Sequence, residues 1–342
     1  MYRLFSKALV CVLLILSLLL SACNNAGDIS SVAESSFASE SVSEPKQDSG
    51  VPEVSYSTET PDFTYDENYF TDGQYVGIYN AITLEEFYSQ RANDKIYPAS
   101  LTKMVTAMVA INYGDLGDIY KVGSELDFVK PHSSLFGIRK GMELTLEHLL
   151  YGLMLPSGND AAYTVAVNIA RRASGENLND AEAIEYFCGL MNAYCAEIGA
   201  NNSHFTTPEG WDDENQYTTV SDLALIAANA LKNQTFRAIV GTHEIRLLIH
   251  SGETFYLTNS NKLLDPDGKY YNPDVFGVKT GSTDLAGSCL VAAVKIEDKE
   301  YLAIATFCSS DTKRYTTVTE LIEMAKRYHF ATTTESFNNI AQ

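Results

Sequence analysis

Two apolar runs near the C-terminus constrain the fold more than any other feature of the chain: SCLVAAVKI at 288–296 and YLAIATFC at 301–308. A strand with one wet face alternates apolar and polar residues, and these barely alternate. They are expected to be neighbouring strands of a sheet covered on both faces, joined by a turn at Asp298-Lys299. Strand-like texture also marks 243–258 and 275–280, and far upstream Gln74 to Asn80 and Glu86 to Gln90 flank a short polar turn, as in a hairpin. Between these outer strands the spacing is helical. Leu101, Met104, Val105, Met108 and Ile111 recur on one face over 101–113. Further helices are expected over Leu144 to Leu155, Asp160 to Arg172, Ala181 to Ile198 and Ser221 to Leu231, with Ser221 as N-cap of the last. An amphipathic helix from Asp311 to about His329 closes the domain, with Ser310 at its entry. Strands at both ends thus bracket a mostly helical insertion within one α/β domain.

The first 60 residues are different material. Arg3 and Lys7 precede a short apolar stretch, Ala8 to Leu20, broken only by Ser17. That is too short for a membrane span of about 20 residues and suits the core of a signal peptide. It ends in Leu20-Ser21-Ala22-Cys23, a sequence that resembles a bacterial lipobox, which makes Cys23 the expected lipidation site and 1–22 the signal peptide. The alternative is an uncleaved anchor with a chance cysteine. Either way the remainder is expected outside the cytoplasm, lipid-anchored to the bacterial cell membrane in the first case. Residues 23–62 read as a flexible Ser/Glu-rich linker, because a stretch this poor in aliphatic residues cannot bury enough surface to offset its folding entropy. The formal charge of −20 argues against a nucleic-acid partner and against electrostatic docking on anionic lipid.

Chemistry enters with YPASLTKMVTA at 97–107. Ser-x-x-Lys occurs three times, at Ser43 to Lys46, Ser100 to Lys103 and Ser310 to Lys313. The first falls in the linker, and Ser310 makes a better helix cap than a nucleophile. On a helix, Ser100 and Lys103 share a face. A neutral amine at Lys103 could take the Ser100 proton and make an acyl-transfer nucleophile without histidine, provided burial or a neighbouring cation lowers its pKa from about 10.4. The other reading is a cap serine beside a solvated lysine. A second element, Leu155-Pro156-Ser157-Gly158-Asn159, lies between two helices and can offer a hydroxyl and an amide to a cleft. A third is rarer: Lys279-Thr280-Gly281 occurs once, ending an apolar run just before Ser282. A lysine and a hydroxyl on a strand edge, followed by a residue without a side chain, suit a carboxylate ligand.

Together, in this order, the three elements resemble the serine penicillin-recognising enzymes, and most closely the D-alanyl-D-alanine carboxypeptidases among the low-molecular-mass penicillin-binding proteins. The likeness runs from about Gly73 to His329 and includes PASLTKM, LTLEHLLYGLMLPSGNDAA, HFTTPEGWDDENQYTTVSDLALIA and GVKTGSTDLAGSCLVA. It implies a β-lactamase/transpeptidase-like fold, an antiparallel sheet covered by helices, over residues 63–342 with no C-terminal β domain. It implies Ser100 as nucleophile, Lys103 as general base, Ser157 as proton relay, and Asn159 as a residue that holds the peptide and orients Lys103. Lys279 and Thr280 would bind the terminal carboxylate, with the charge on Lys279 helping to keep Lys103 neutral. The N–H groups of Ser100 and Ser282 would form the oxyanion hole. The implied partners are the peptidoglycan stem pentapeptide and β-lactams as covalent inhibitors, with no cofactor and no metal. Within the same fold a D,D-endopeptidase is the nearest alternative, and a catalytically weak scaffold is another.

Departures sharpen the expectation. Class A β-lactamases carry aspartate where this chain has Gly158, and Glu176-Asn177-Leu178-Asn179 is one residue short of their deacylation motif. Efficient β-lactamase action is therefore disfavoured. The six histidines show no zinc-peptidase spacing, and Asp212-Asp213-Glu214 lacks calcium-loop spacing. Trp211 is expected either to line the cleft or merely to pack. Cys188 and Cys195, seven apart on a helix, would sit about 10.5 Å apart and so beyond disulfide reach. Cys289 and Cys308 could face each other across the terminal hairpin, either bridged or as two reduced core thiols.

Overall fold

A computed structural model describes residues 69–71 and 74–340, with side chains up to residue 330. The signal, Cys23 and linker expectations lie outside the described residues. In chain order the elements are strands β1 (Tyr75–Asn80) and β2 (Glu86–Gln90), a 3-10 turn at Ala99–Thr102, and helix α1 (Lys103–Tyr113). Short strands β3 (Ile119–Lys121) and β4 (Glu143–Thr145) lead to helices α2 (Leu146–Met154), α3 (Asn159–Ser174), α4 (Asp180–Ile198), α5 (Val220–Leu231) and α6 (Gln234–Gly241). Then follow β5 (Glu244–Leu248), β6 (Thr254–Thr258), β7 (Val275–Thr283), β8 (Gly287–Ile296), β9 (Lys299–Cys308) and α7 (Asp311–Ile340).

The weak alternation of β8 and β9 has the expected consequence. They lie inside a five-stranded antiparallel sheet of order β2-β1-β9-β8-β7. Their residues divide between two cores. Val291, Ala293, Leu302 and Ile304 face the helical insertion. Leu290, Ala292, Val294, Ala303 and Ala305 face α7 through Tyr315, Val318, Leu321, Ile322 and Ala325. Burial of these side chains on both faces supplies most of the driving force, at about 25 cal/mol per Å² of apolar surface removed from water. The helical insertion is organised by α1, whose Met104, Val105, Ala107, Val109 and Ala110 are buried.

Three details differ from expectation. The β8–β9 turn is Glu297-Asp298, one residue earlier, since Ile296 pairs with Lys299 and Glu297 takes the left-handed conformation a tight turn requires (φ 52°). The register then slips between Ser288 and Leu290, so Ser288 rather than Cys289 stands opposite Cys308. All four described cysteines are buried free thiols. Helix α5 is capped by Thr219, whose hydroxyl accepts from the Asp222 N–H at 3.1 Å, while Ser221 donates to Asn93 Oδ1 at 2.9 Å. Ser310 does cap α7, accepting from the Lys313 N–H. Among the described residues no helix is long and apolar enough to cross a membrane.

Candidate active site

Ser100 sits in the 3-10 turn that opens α1, after Ala99 with φ 48°. That left-handed residue swings Ser100 against two other segments, and both approach through glycine. A Cβ on Gly210 would fall 1.9 Å from the Ala99 carbonyl oxygen, and one on Gly281 would fall 3.1 Å from the Ser100 nitrogen. Gly281 of β7 therefore reaches the Ser100 backbone, and Gly210 the Ala99 carbonyl, only because they lack side chains. The resulting cleft, about 80 Å³, is lined by Ser100, Ser133, Asn159, Trp211, Ser282 and Thr283 among others. Strand β7 is the edge of the sheet.

Lys103 is fully buried behind Ser100. Its Nζ lies 2.8 Å from each of three acceptors: Ser100 Oγ, Asn159 Oδ1 and the Glu209 carbonyl oxygen. An ammonium would donate to all three. A neutral amine has two N–H bonds, enough for Asn159 and Glu209, and its lone pair is then left for the Ser100 hydroxyl proton. Burial pushes the Lys103 pKa down to about 7, against the pull of the Glu209 and Asp160 carboxylates. The amine is thus poised between the two states at neutral pH.

Asn159, the first residue of α3, is fixed on both sides. It accepts from Lys103, donates from Nδ2 to Ser133 Oγ at 3.0 Å, and its N–H donates to the Ser134 carbonyl. Ser157 precedes it at φ 64°, buried, with no hydrogen-bond partner for its hydroxyl. A buried hydroxyl left unpaired costs about 1–3 kcal/mol. On the opposite wall, Thr280 shares a 2.7 Å hydrogen bond with Ser260 Oγ, and Lys279 donates to the Thr280 carbonyl at 3.0 Å. Lys279 is also fully buried, and its pKa is driven well below the ordinary range by that burial, then by Lys103 and Arg314.

The chain matches the family model for D-alanyl-D-alanine carboxypeptidases over residues 78–307, more than half its length. The chain belongs to the D-alanyl-D-alanine carboxypeptidase family. It is 31% identical over 242 residues to D-alanyl-D-alanine carboxypeptidase DacF of Bacillus subtilis, covering 70% of this chain and 58% of that protein. To the D-alanyl-D-alanine carboxypeptidase of a Streptomyces strain it is 31% identical over 246 residues, covering 69% and 80%. The crystal structure of the Streptomyces K15 DD-transpeptidase superposes with a TM-score of 0.67 at 29% identity, covering 74% of this chain and 95% of that one. The chain therefore spans less than two thirds of the Bacillus relative and most of the Streptomyces one.

Three of the residues read from sequence line the cleft of this family member, Ser100, Asn159 and Ser282, while Lys103 is buried behind Ser100 and Thr280 lies on the same strand as Ser282. Lys279 lies buried beside them, and Ser157 offers its unpaired hydroxyl from the same loop as Asn159. Other residues escaped the sequence reading. Asp160 accepts from the N–H groups of Phe136, Gly137 and Ile138 at 2.7–3.1 Å, which fixes the loop carrying Ser133 and Ser134. Glu209 is buried, with Oε1 accepting from Tyr163 and Oε2 unpaired. Ser260 ties Thr280 to the Leu155 carbonyl. Arg314 donates from α7 to the Gly281 and Cys289 carbonyls. The acidic residue directly after Asn159 was the one available signal, since carboxylates favour helix N-termini. Trp211 lines the cleft, with Lys130 Nζ 5.2 Å from its ring centroid.

Proposed function

We propose that this protein removes the terminal D-alanine from peptidoglycan stem pentapeptides through an acyl-enzyme. The observation that carries the reading is the 2.8 Å contact between a buried Lys103 amine and the Ser100 hydroxyl. Ser100 Oγ attacks the carbonyl between the two terminal D-alanines as its proton passes to Lys103. The C–N bond breaks, the departing amine takes a proton relayed through Ser157, and water then hydrolyses the ester to free the shortened stem and restore Ser100. β-Lactams acylate the same oxygen and leave slowly. The N–H groups of Ser100 and Ser282 are the proposed oxyanion donors, a contribution of about 3 kcal/mol where such donors have been removed one at a time. The stem lies along the edge strand β7 as an added strand.

The two buried amines give substrate binding a chemical role. A terminal carboxylate arriving beside Lys279 and Thr280 raises the affinity of Lys279 for a proton. Repulsion between the amines then lowers that of Lys103, so the carboxylate that marks the right substrate also readies the base. The pair titrates as a unit.

The signal peptide at 1–22, a lipid on Cys23 and a tether through residue 62 belong to this reading. They place residues 63–342 on the outer side of the membrane, where the wall is built. Purified protein incubated with a pentapeptide, and separately with a cross-linked peptide dimer, is expected to release D-alanine from the first and to leave the second intact. Cleavage of the dimer alone would make it an endopeptidase, and inertness to both would make it a scaffold.

A further inference from the structure

Helix α3 reaches Lys103 twice. Its first residue, Asn159, accepts directly from the Lys103 amine at 2.8 Å. Tyr163 lies one turn further along the same face. It is buried, and its hydroxyl donates to Glu209 Oε1 at 3.0 Å. Glu209 in turn touches the amine with its main chain, since its carbonyl accepts from Lys103 Nζ at 2.8 Å. One helix thus bears on the amine from two sides, once by contact and once through a buried carboxylate.

The main chain of the turn that carries Glu209 has other supports. Thr106, one turn along α1 from Lys103, donates to the Pro208 carbonyl at 2.6 Å. The Thr207 hydroxyl accepts from the Gly210 N–H at 3.1 Å. The carboxylate lacks such redundancy. Among the described residues Tyr163 is its one hydrogen-bond donor, and Oε2 has none. A buried charge stripped of its last hydrogen bond is costly to keep.

Few titratable groups act on this arrangement. The Glu209 and Asp160 carboxylates favour the charged form of Lys103. Lys279, itself under the influence of Arg314 on α7, opposes it. The Asp160 carboxylate is taken up by the N–H groups of Phe136, Gly137, Ile138 and Ala161. Besides Lys103, the groups facing Glu209 are Tyr163 and Cys188 of α4. Burial, and then Glu209, hold the Tyr163 phenol far above its ordinary range and push the Cys188 thiol up to about 12. Both therefore stay neutral, and Tyr163 remains a donor, across the range in which Lys103 titrates.

We propose that Tyr163 is a positioning residue for the base: it holds the Glu209 carboxylate charged and in place behind Lys103, and so sets the pH at which the amine is free to take the Ser100 proton. The inference rests on the carboxypeptidase reading, because it takes Lys103 as that base. The Tyr163 hydroxyl touches neither substrate nor the reacting atoms and acts only through Glu209. Without the hydroxyl the carboxylate charge is weakened, its pull on the Lys103 proton falls, and the amine becomes neutral at lower pH.

The test is the pH profile of penicillin acylation, with the first-order step separated from affinity, on the full chain, Tyr163→Phe, Glu209→Gln and the double variant. Phenylalanine keeps the ring that packs against Phe128, with centroids 6.0 Å apart, and removes only the hydroxyl. Tyr163→Phe is expected to move the acid limb of the first-order step down by about one pH unit, with the alkaline plateau and penicillin affinity unchanged. The double variant is expected to have the limb of Glu209→Gln alone, since both changes act through one carboxylate. A limb that Tyr163→Phe leaves in place or raises overturns the proposal, as does a lowered plateau with an unmoved limb, which lost packing alone would give. Additive shifts in the double variant overturn it too. Should Tyr163→Phe fail to fold, Glu209→Asp, which withdraws the carboxylate from the hydroxyl by one methylene, is judged by the same limb. A wild-type profile with no acid limb would instead overturn the reading of Lys103 as base, and this proposal with it.

Discussion

Lys103 concentrates the chemistry of the site in one atom. Its amine is buried and has three acceptors, one of which is the Ser100 oxygen that the proposed mechanism has it activate. The Glu209 carboxylate is the largest influence favouring its charged form. Because the proposed base would work unprotonated, acylation is expected to rise with pH through an acid limb near 7 and to be lost below it. Glu209→Gln removes the carboxylate, so the limb is expected to move to lower pH. A pH profile of penicillin acylation for both proteins checks the direction, and an unmoved or raised limb would refute this role for Glu209. At this scale Ser100, Lys103 and Asn159 were legible only as parts of motifs taken together through the family likeness, since Ser-x-x-Lys by itself occurs three times in the chain. Glu209 was not: Pro208-Glu209-Gly210 has the composition of an exposed turn, and only tertiary packing buries it.

The elements explain why those residues meet. Helix α3 begins at Asn159, and its second residue, Asp160, anchors the 136–138 loop by accepting three N–H groups. Bonds to a charged acceptor are among the stronger ones in proteins, so Asp160→Asn is expected to cost about 2 kcal/mol of stability. Urea unfolding followed by circular dichroism measures this, and a change under 0.5 kcal/mol would show that the loop does not depend on the carboxylate. The variant is also expected to acylate more slowly, since Ser133 and Ser134 position Asn159. Helical periodicity revealed most of the helices because burial imposes it, and near-unbroken apolar runs revealed β8 and β9. Neither revealed β3 and β4, three residues each, which are too short to display any period. The β8–β9 turn shifted by a residue because left-handed geometry at Glu297, rather than charge density, fixed its position.

In the whole molecule, an edge strand of the sheet and the first turns of two helices close on one cleft, and the remaining surface carries a large acidic excess. The fold class was readable because both faces of β8 and β9 had to be covered. The convergence of three distant segments was readable only through the family likeness, since nothing local in Lys279-Thr280-Gly281 says what it will face. The proposed tether is testable apart from catalysis. In a bacterial host, Cys23→Ala is expected to shift the protein from the membrane fraction to the medium or periplasm with penicillin binding intact. Retention in the membrane would point to an uncleaved anchor.

The most direct measurement is the site of covalent attachment. Purified protein incubated with penicillin and digested for mass spectrometry is expected to carry the penicilloyl group on Ser100, within the segment 97–107, and Ser100→Ala is expected to carry none. An adduct on another residue, or labelling that survives the substitution, would contradict the assignment of Ser100 as the nucleophile.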